Sequence, residues 1–157
     1  MNPKPEQDQS GVFAFFQNPA TYERREPVVR IDTHGAAVFL AGPDVYKVKR
    51  AVHFSFMDFS TLAKRHAACD SEIAVNRGNA PDICLDVVPI TRDGRHFRLG
   101  GHGLAIESAV QESAVHLRRF DESATLDRLG DAGPLGAELI DKLAQAVVVA
   151  HGFSTIR

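Results

Sequence analysis

Cysteine is scarce in this chain. Its two cysteines, Cys69 and Cys84, are too few for a disulfide framework and lack the paired spacing of a zinc site. Both are expected as reduced thiols in a reducing compartment. An excess of either charge is also lacking. The 18 Lys and Arg against 20 Asp and Glu leave a formal net charge of -2, which gives no basic face for nucleic acid. The pairs Arg24-Arg25 and Arg118-Arg119 have acidic residues beside them. No apolar run is long enough to span a membrane. The start, Met-Asn-Pro-Lys-Pro-Glu-Gln-Asp-Gln-Ser, has no hydrophobic segment behind a basic one, so it is not a secretory signal. The expectation is a cytoplasmic chain with neither nucleic acid nor membrane as partner. The 7 histidines are scattered, with no pair at the spacing of a helical zinc site. Neither a Gly-x-Ser-x-Gly elbow nor a phosphate loop with its lysine and serine or threonine is present.

A length of 157 residues suits one domain that buries about two thirds of its unfolded surface. Residues 1–9 are polar and proline-bearing and read as a flexible tail. Ser10 is placed to cap a short helix carrying Val12, Phe13, Phe15 and Phe16. Strands are expected over Val28 to Thr33, Ala36 to Ala41 and Val45 to Arg50, the last two joined by the turn residues Gly42-Pro43-Asp44. Ser60 then opens a helix to about Arg77, with Leu62, His66, Cys69 and Ile73 on one stripe and Gly78 as its C-terminal cap. Leu85 to Thr91 and Arg95 to Leu99 form a second hairpin about Asp93-Gly94. Gly100 to Gly103 reads as a loop, and an edge-like strand follows from about Ser113 to Phe120. Ser123 is placed to cap a short helix. Pro134 suits the first turn of a longer one ending at Gly152. This order of strands, one helix, strands and then helices predicts an α+β fold with a mainly antiparallel sheet.

Phosphoryl transfer needs charge neutralisation more than covalent help. Side chains alternate along a strand, so Lys47 and Lys49 share one face of Val45-Tyr46-Lys47-Val48-Lys49-Arg50, while Tyr46 and Val48 share the other. Glu72, on the next helix, sits about 100° around from Ile73, on the flank of the buried stripe. A lysine on a strand followed by a glutamate on the next helix is an arrangement that can hold nucleotide phosphates. Lys47 is the favoured cation and Lys49 the alternate.

Several runs together resemble one family. They are Thr33-His34-Gly35-Ala36-Ala37-Val38-Phe39-Leu40, Tyr46-Lys47-Val48-Lys49-Arg50, Asp58-Phe59-Ser60-Thr61-Leu62, Cys69-Asp70-Ser71-Glu72, Ala80-Pro81-Asp82 through Val87-Val88-Pro89-Ile90, and Leu117-Arg118-Arg119-Phe120-Asp121. They are similar to the aminoglycoside phosphotransferase-like family, in the bacterial branch where that domain often precedes a P-loop ATP-binding domain. The likeness covers about residues 12 to 151. It implies a protein-kinase-like fold, ATP with Mg2+, and phosphoryl transfer to a small hydroxylated acceptor. Residues 10–120 would be the small lobe and residues 121–157 the first helices of an incomplete large lobe.

Carried over by position, the resemblance makes Lys47 the phosphate-binding lysine and Glu72 its helix partner. His34 and Gly35 fall in the nucleotide-covering loop, which here has one glycine where protein kinases use several. His116, Leu117 and Arg118 fall in the hinge that would meet adenine through backbone groups. After His151 the family continues toward a His-Gly-Asp loop and a metal-binding aspartate, whereas this sequence reads Gly152-Phe153-Ser154-Thr155-Ile156-Arg157. The expectation is a truncated, N-terminal fragment of an ATP-dependent small-molecule phosphotransferase, inactive alone. The alternative is a non-catalytic nucleotide-binding or protein-interaction module derived from that fold. The last helix, with Val147-Val148-Val149-Ala150 in a row, is apolar nearly all round, and self-association through it is expected.

Overall fold

The computed structural model describes residues 7–100 and 110–152. The polar tail and the Gly100 to Gly103 loop expected from sequence therefore lie partly outside the described residues, as do residues 153–157. The chain divides into two compact units, Met1–Arg119 and Phe120–Arg157.

The first unit is built on six antiparallel strands. They are β1 (Val29–Asp32), β2 (Ala36–Ala41), β3 (Asp44–Lys49), β6 (Cys84–Asp93), β7 (His96–Leu99) and β8 (Val110–Arg118), in the order β1-β2-β3-β8-β6-β7. A separate two-stranded hairpin, β4 (His53–Phe54) and β5 (Met57–Asp58), follows β3. The β2–β3 connection is tight because Ala41 pairs with Asp44. That leaves only Gly42 and Pro43 in the turn, and Gly42 takes φ 66°, a left-handed value that glycine reaches without strain. Asp44, expected in the turn, is the first residue of the strand.

Helices cover the two faces of this sheet. Helix α1 (Ser10–Gln17) brings Val12 and Phe16 onto Phe39, Tyr46, Val48, Ile90 and Ala114. Phe16 stacks on Phe39 with ring centroids 5.2 Å apart and tilts against Tyr46 at 5.6 Å. Ser10 is the first residue of α1 rather than its cap. The side chain of Asp8 accepts from the Ser10 amide at 2.8 Å. Helix α2 (Leu62–Asn76) packs Cys69 and Ile73 against Cys84 and Val115. Odd-numbered residues of β8 thus face α2, and even-numbered Ala114 faces α1, as strand alternation requires.

Three sequence expectations change at these elements. The cap of α2 is Thr61, whose side chain accepts from the Lys64 amide at 3.3 Å, and the helix closes at Arg77 in a right-handed conformation, not on Gly78. Its buried stripe is Arg65, Cys69 and Ile73, while His66 is exposed. The strand expected at an edge, β8, is instead interior, hydrogen-bonded to β3 on one side and β6 on the other. The flexible tail expected over residues 1–9 does not run to residue 9, because Gln9 is only 6% exposed.

In the second unit a 3₁₀ turn (Glu122–Ala124) precedes α3 (Leu126–Ala132) and α4 (Ala137–Gly152). Asp121 caps the 3₁₀ turn by accepting from the Ser123 amide at 2.9 Å, and the N-cap position of α3 is Thr125 rather than the expected Ser123. Pro134 lies ahead of α4 rather than in its first turn. Ile140, Leu143, Val147, Val148 and Val149 of α4 are exposed. No helix among the described residues is long and apolar enough to cross a membrane.

Candidate functional site

Strand β3 is interior, so its two lysines are not edge-strand surface residues. Tyr46 and Val48 go into the α1-side core, which sends Lys47 and Lys49 toward α2. There Glu72 meets both. Lys47 Nζ donates to Glu72 Oε1 at 2.9 Å, and Lys49 Nζ donates to Glu72 Oε2. One carboxylate therefore bridges two ammonium groups two residues apart, one per oxygen. The lysines differ in access, since the Lys49 side chain is 9% exposed and that of Lys47 is 32% exposed, with Glu72 at 21%. Lys49 also lies 5.6 Å from the centroid of the Phe59 ring, a cation–π distance. Burial is the largest influence on the Glu72 carboxyl and pushes its pKa up. The hydrogen bonds and charges of Lys49 and Lys47 together outweigh it, and the net result is a pKa below the ordinary value.

The other expected site residues sit elsewhere. Gly35 follows β1 in a short connection closed by Thr33, whose amide donates to the Ala36 carbonyl at 2.8 Å and whose Oγ1 accepts from the Ala36 amide at 3.0 Å. A Cβ on Gly35 would meet Met57 Sδ and Cε at 2.8 Å. Glycine here gives room to the β4–β5 hairpin. His34 in the same connection is exposed.

His116 pairs across the sheet with Tyr46 and not with Lys47, so its ring is on the face opposite the lysines. It stacks on Tyr46 at 4.7 Å with an interplanar angle of 4°. Its Nδ1 is 2.9 Å from Asp86 and its Nε2 is 3.0 Å from Asp44, so one imidazole ties β6, β8 and β3 together. Burial, with Asp44 and Asp86 adding to it, pushes the Tyr46 phenol up to about 12. Leu117 is opposite Val45 on one side and Cys84 on the other, and Arg118 donates its amide to the Ile83 carbonyl at 2.9 Å. These positions lie at the C-terminal end of β8. A strand interior to a sheet uses its backbone on both sides.

A second polar centre was not expected from sequence. Arg65 and Glu112 form an ion pair at 2.9 Å with both side chains fully buried. Arg65 Nε donates to both Glu112 oxygens, at 3.1 and 2.9 Å. Arg65 Nη1 donates to the Phe59 carbonyl at 3.0 Å and Nη2 to Gln7 Oε1 at 2.7 Å. Gln9 Nε2 donates to Glu112 Oε2 at 2.7 Å and to the Lys49 carbonyl at 2.8 Å, while Gln9 Oε1 accepts from the Ala51 amide at 2.7 Å. The only sequence signal was an arginine on the buried side of α2 and a glutamate within an apolar strand.

One further arrangement has the outline of a nucleophile relay. Ser113 Oγ is 2.9 Å from His66 Nδ1, and His66 Nε2 is 3.4 Å from Asp70. Ser113 is 1% exposed, so an acyl carbonyl cannot reach its hydroxyl, and the arrangement joins α2 to β8 instead. Among the described residues no group of three or more His, Cys, Asp or Glu side chains could hold a metal ion.

No family model matches the chain. No solved structure matches it significantly. The chain is similar to uncharacterized proteins of Mycobacterium bovis and Mycobacterium tuberculosis, 28% identical over 127 residues. The match covers 80% of this chain and 23% of each relative, so the chain spans about a quarter of the length of these curated relatives.

Proposed function

We propose that this chain is the nucleotide-binding, kinase-like small lobe of an ATP-dependent small-molecule phosphotransferase. The observation that carries this reading is the Glu72 carboxylate shared by Lys47 and Lys49. Phosphoryl-transfer enzymes of this kind hold a strand lysine against a helix glutamate and present it to phosphate oxygens. The difference in exposure divides the work. Lys49, at 9%, stays with Glu72 and holds it in place. Lys47, at 32%, has the freedom to turn outward to a phosphate. In this reading phosphate contact rests on Lys47.

Among the described residues no group of three or more His, Cys, Asp or Glu side chains marks a metal site. Residues for the metal and for the acceptor hydroxyl are not assigned among the described residues, and no chemical step is assigned to them. A cytoplasmic location suits the free thiols of Cys69 and Cys84, both buried. The exposed apolar residues of α4 favour a second reading for that unit, self-association or docking onto a partner surface.

Isothermal titration of the intact chain with ATP tests the primary reading. Binding that weakens about tenfold in Lys47→Ala, the loss of one charge-assisted contact, supports it. No heat of binding at millimolar ATP, or binding that Lys47→Ala leaves unchanged, overturns it.

A further inference from the structure

The buried polar centre connects the start of the chain to the lysine–glutamate site. Arg65 and Glu72 are seven residues apart on α2, two turns, so they lie on nearly the same line of the helix. Whatever fixes Arg65 therefore fixes both the rotation and the axial position of Glu72. Arg65 is fixed by Glu112 of β8, by the Phe59 carbonyl and by Gln7. Gln9 closes the arrangement from the other direction. Its amide bonds the Lys49 carbonyl and the Ala51 amide, at the end of the strand that carries both lysines, and also bonds Glu112.

The same few side chains thus hold the two halves of the site, β3 and α2, against each other. No buried side-chain nitrogen or oxygen among the described residues lacks a hydrogen-bond partner. A buried network of this kind specifies one arrangement only while every member is present.

We infer that residues 7–9 act as a strap that sets α2 in register with β3 through the Arg65–Glu112 pair, making Gln9, Arg65 and Glu112 positioning residues for Glu72. Its bearing on nucleotide affinity rests on the function proposed above, whereas its bearing on the Lys49–Glu72 contact does not. With the strap loosened, α2 shifts or rotates, Glu72 leaves Lys49, and the Lys49 ammonium becomes accessible.

The test is amine acetylation by acetic anhydride in the full chain without nucleotide, read by mass spectrometry for each lysine. The exposed Lys142 of α4 is the internal reference. Two variants are compared with the unsubstituted chain, Gln9→Ala and the double change Arg65→Met with Glu112→Leu. Replacing a buried ion pair by apolar residues of similar size is often tolerated, so the double variant keeps the test open where Gln9→Ala does not fold. Cooperative melting establishes which variants are folded. Acetylation of Lys49 rising about tenfold relative to Lys142, well below the melting temperature, is the expected result and corresponds to loss of one hydrogen bond to a charged group. An unchanged Lys49 rate in a folded variant overturns the strap. ATP titration of the same proteins separates the two ideas. If the unsubstituted chain binds no ATP, the nucleotide reading fails while the labelling still decides the strap.

Discussion

Replacing Glu72 by Gln removes one negative charge and leaves the shape of the site. The amide oxygen can still accept from one lysine, but its NH2 group faces the other ammonium with no lone pair to offer. Lys49, at 9% exposure, has little water to turn to. Exposed pairs contribute about 0–1 kcal/mol, and breaking a fully buried pair costs about 3–5 kcal/mol. A carboxylate at 21% exposure that joins one buried and one half-exposed lysine belongs between those limits, at about 2 kcal/mol. For a chain of this size that corresponds to a fall in Tm of about 6 °C.

The pH dependence has a definite sign. The Glu72 pKa is depressed in the folded state, so its stabilisation is complete above the ordinary glutamate value of 4.5. It is lost as pH falls through the lower folded-state value. Calorimetric melting of both proteins from neutral pH down to the acid range measures this. The gap between Glu72→Gln and the unsubstituted chain should be constant at neutral pH and narrow once pH drops below that of an ordinary glutamate. A Tm within about 1 °C of the unsubstituted chain at pH 7, or a gap that widens in acid, would refute the reasoning.

Phe16→Ala should cost about 3–5 kcal/mol, because Phe16 is fully buried between α1 and the sheet and packs on Phe39 and Tyr46; urea unfolding reads the shift in midpoint. Burial pushes the Cys69 thiol up to about 11, despite the nearby Lys49 charge, so at pH 8 only about one molecule in a thousand carries the thiolate. Iodoacetamide should therefore label Cys69 only as the chain unfolds, and rapid labelling of the native protein would contradict its placement.

The β-hairpin of β2 and β3 could be read from sequence because its information is local, with an apolar run before Gly42-Pro43 and an alternating one after it. The shared face of Lys47 and Lys49 followed from the same alternation. Glu72 is legible because it lies on the next helix at an angle that can be counted. The position of β8 could not be found in this way. Inserting it between β3 and β6 is a pairing between residues 30 and 72 positions apart, as in the contacts of His116 with Asp86 and Asp44. Nothing in the composition of β8 records which neighbours it takes. Arg65 and Glu112 escaped for a different reason. Arginine and glutamate are rarely fully buried unless paired, and the pairing that permits burial here spans 47 residues. The closeness of Gly35 to Met57 is not legible in the sequence, because it is set by a hairpin that comes later in the chain.

The composition of the lysine site carries an argument that its geometry does not. Two ammonium groups share one carboxylate, so this triad keeps one positive charge unbalanced. Removing charges from water is costly, and a half-buried site that served stability alone would have matched them or replaced them with apolar groups, as the opposite face of β3 does with Tyr46 and Val48. The surplus cation is also the more exposed of the two, Lys47. An anion meeting Lys47 from solvent would therefore complete the charge balance without displacing Lys49 from Glu72, and the unequal burial of the two lysines is what makes both contacts available at once.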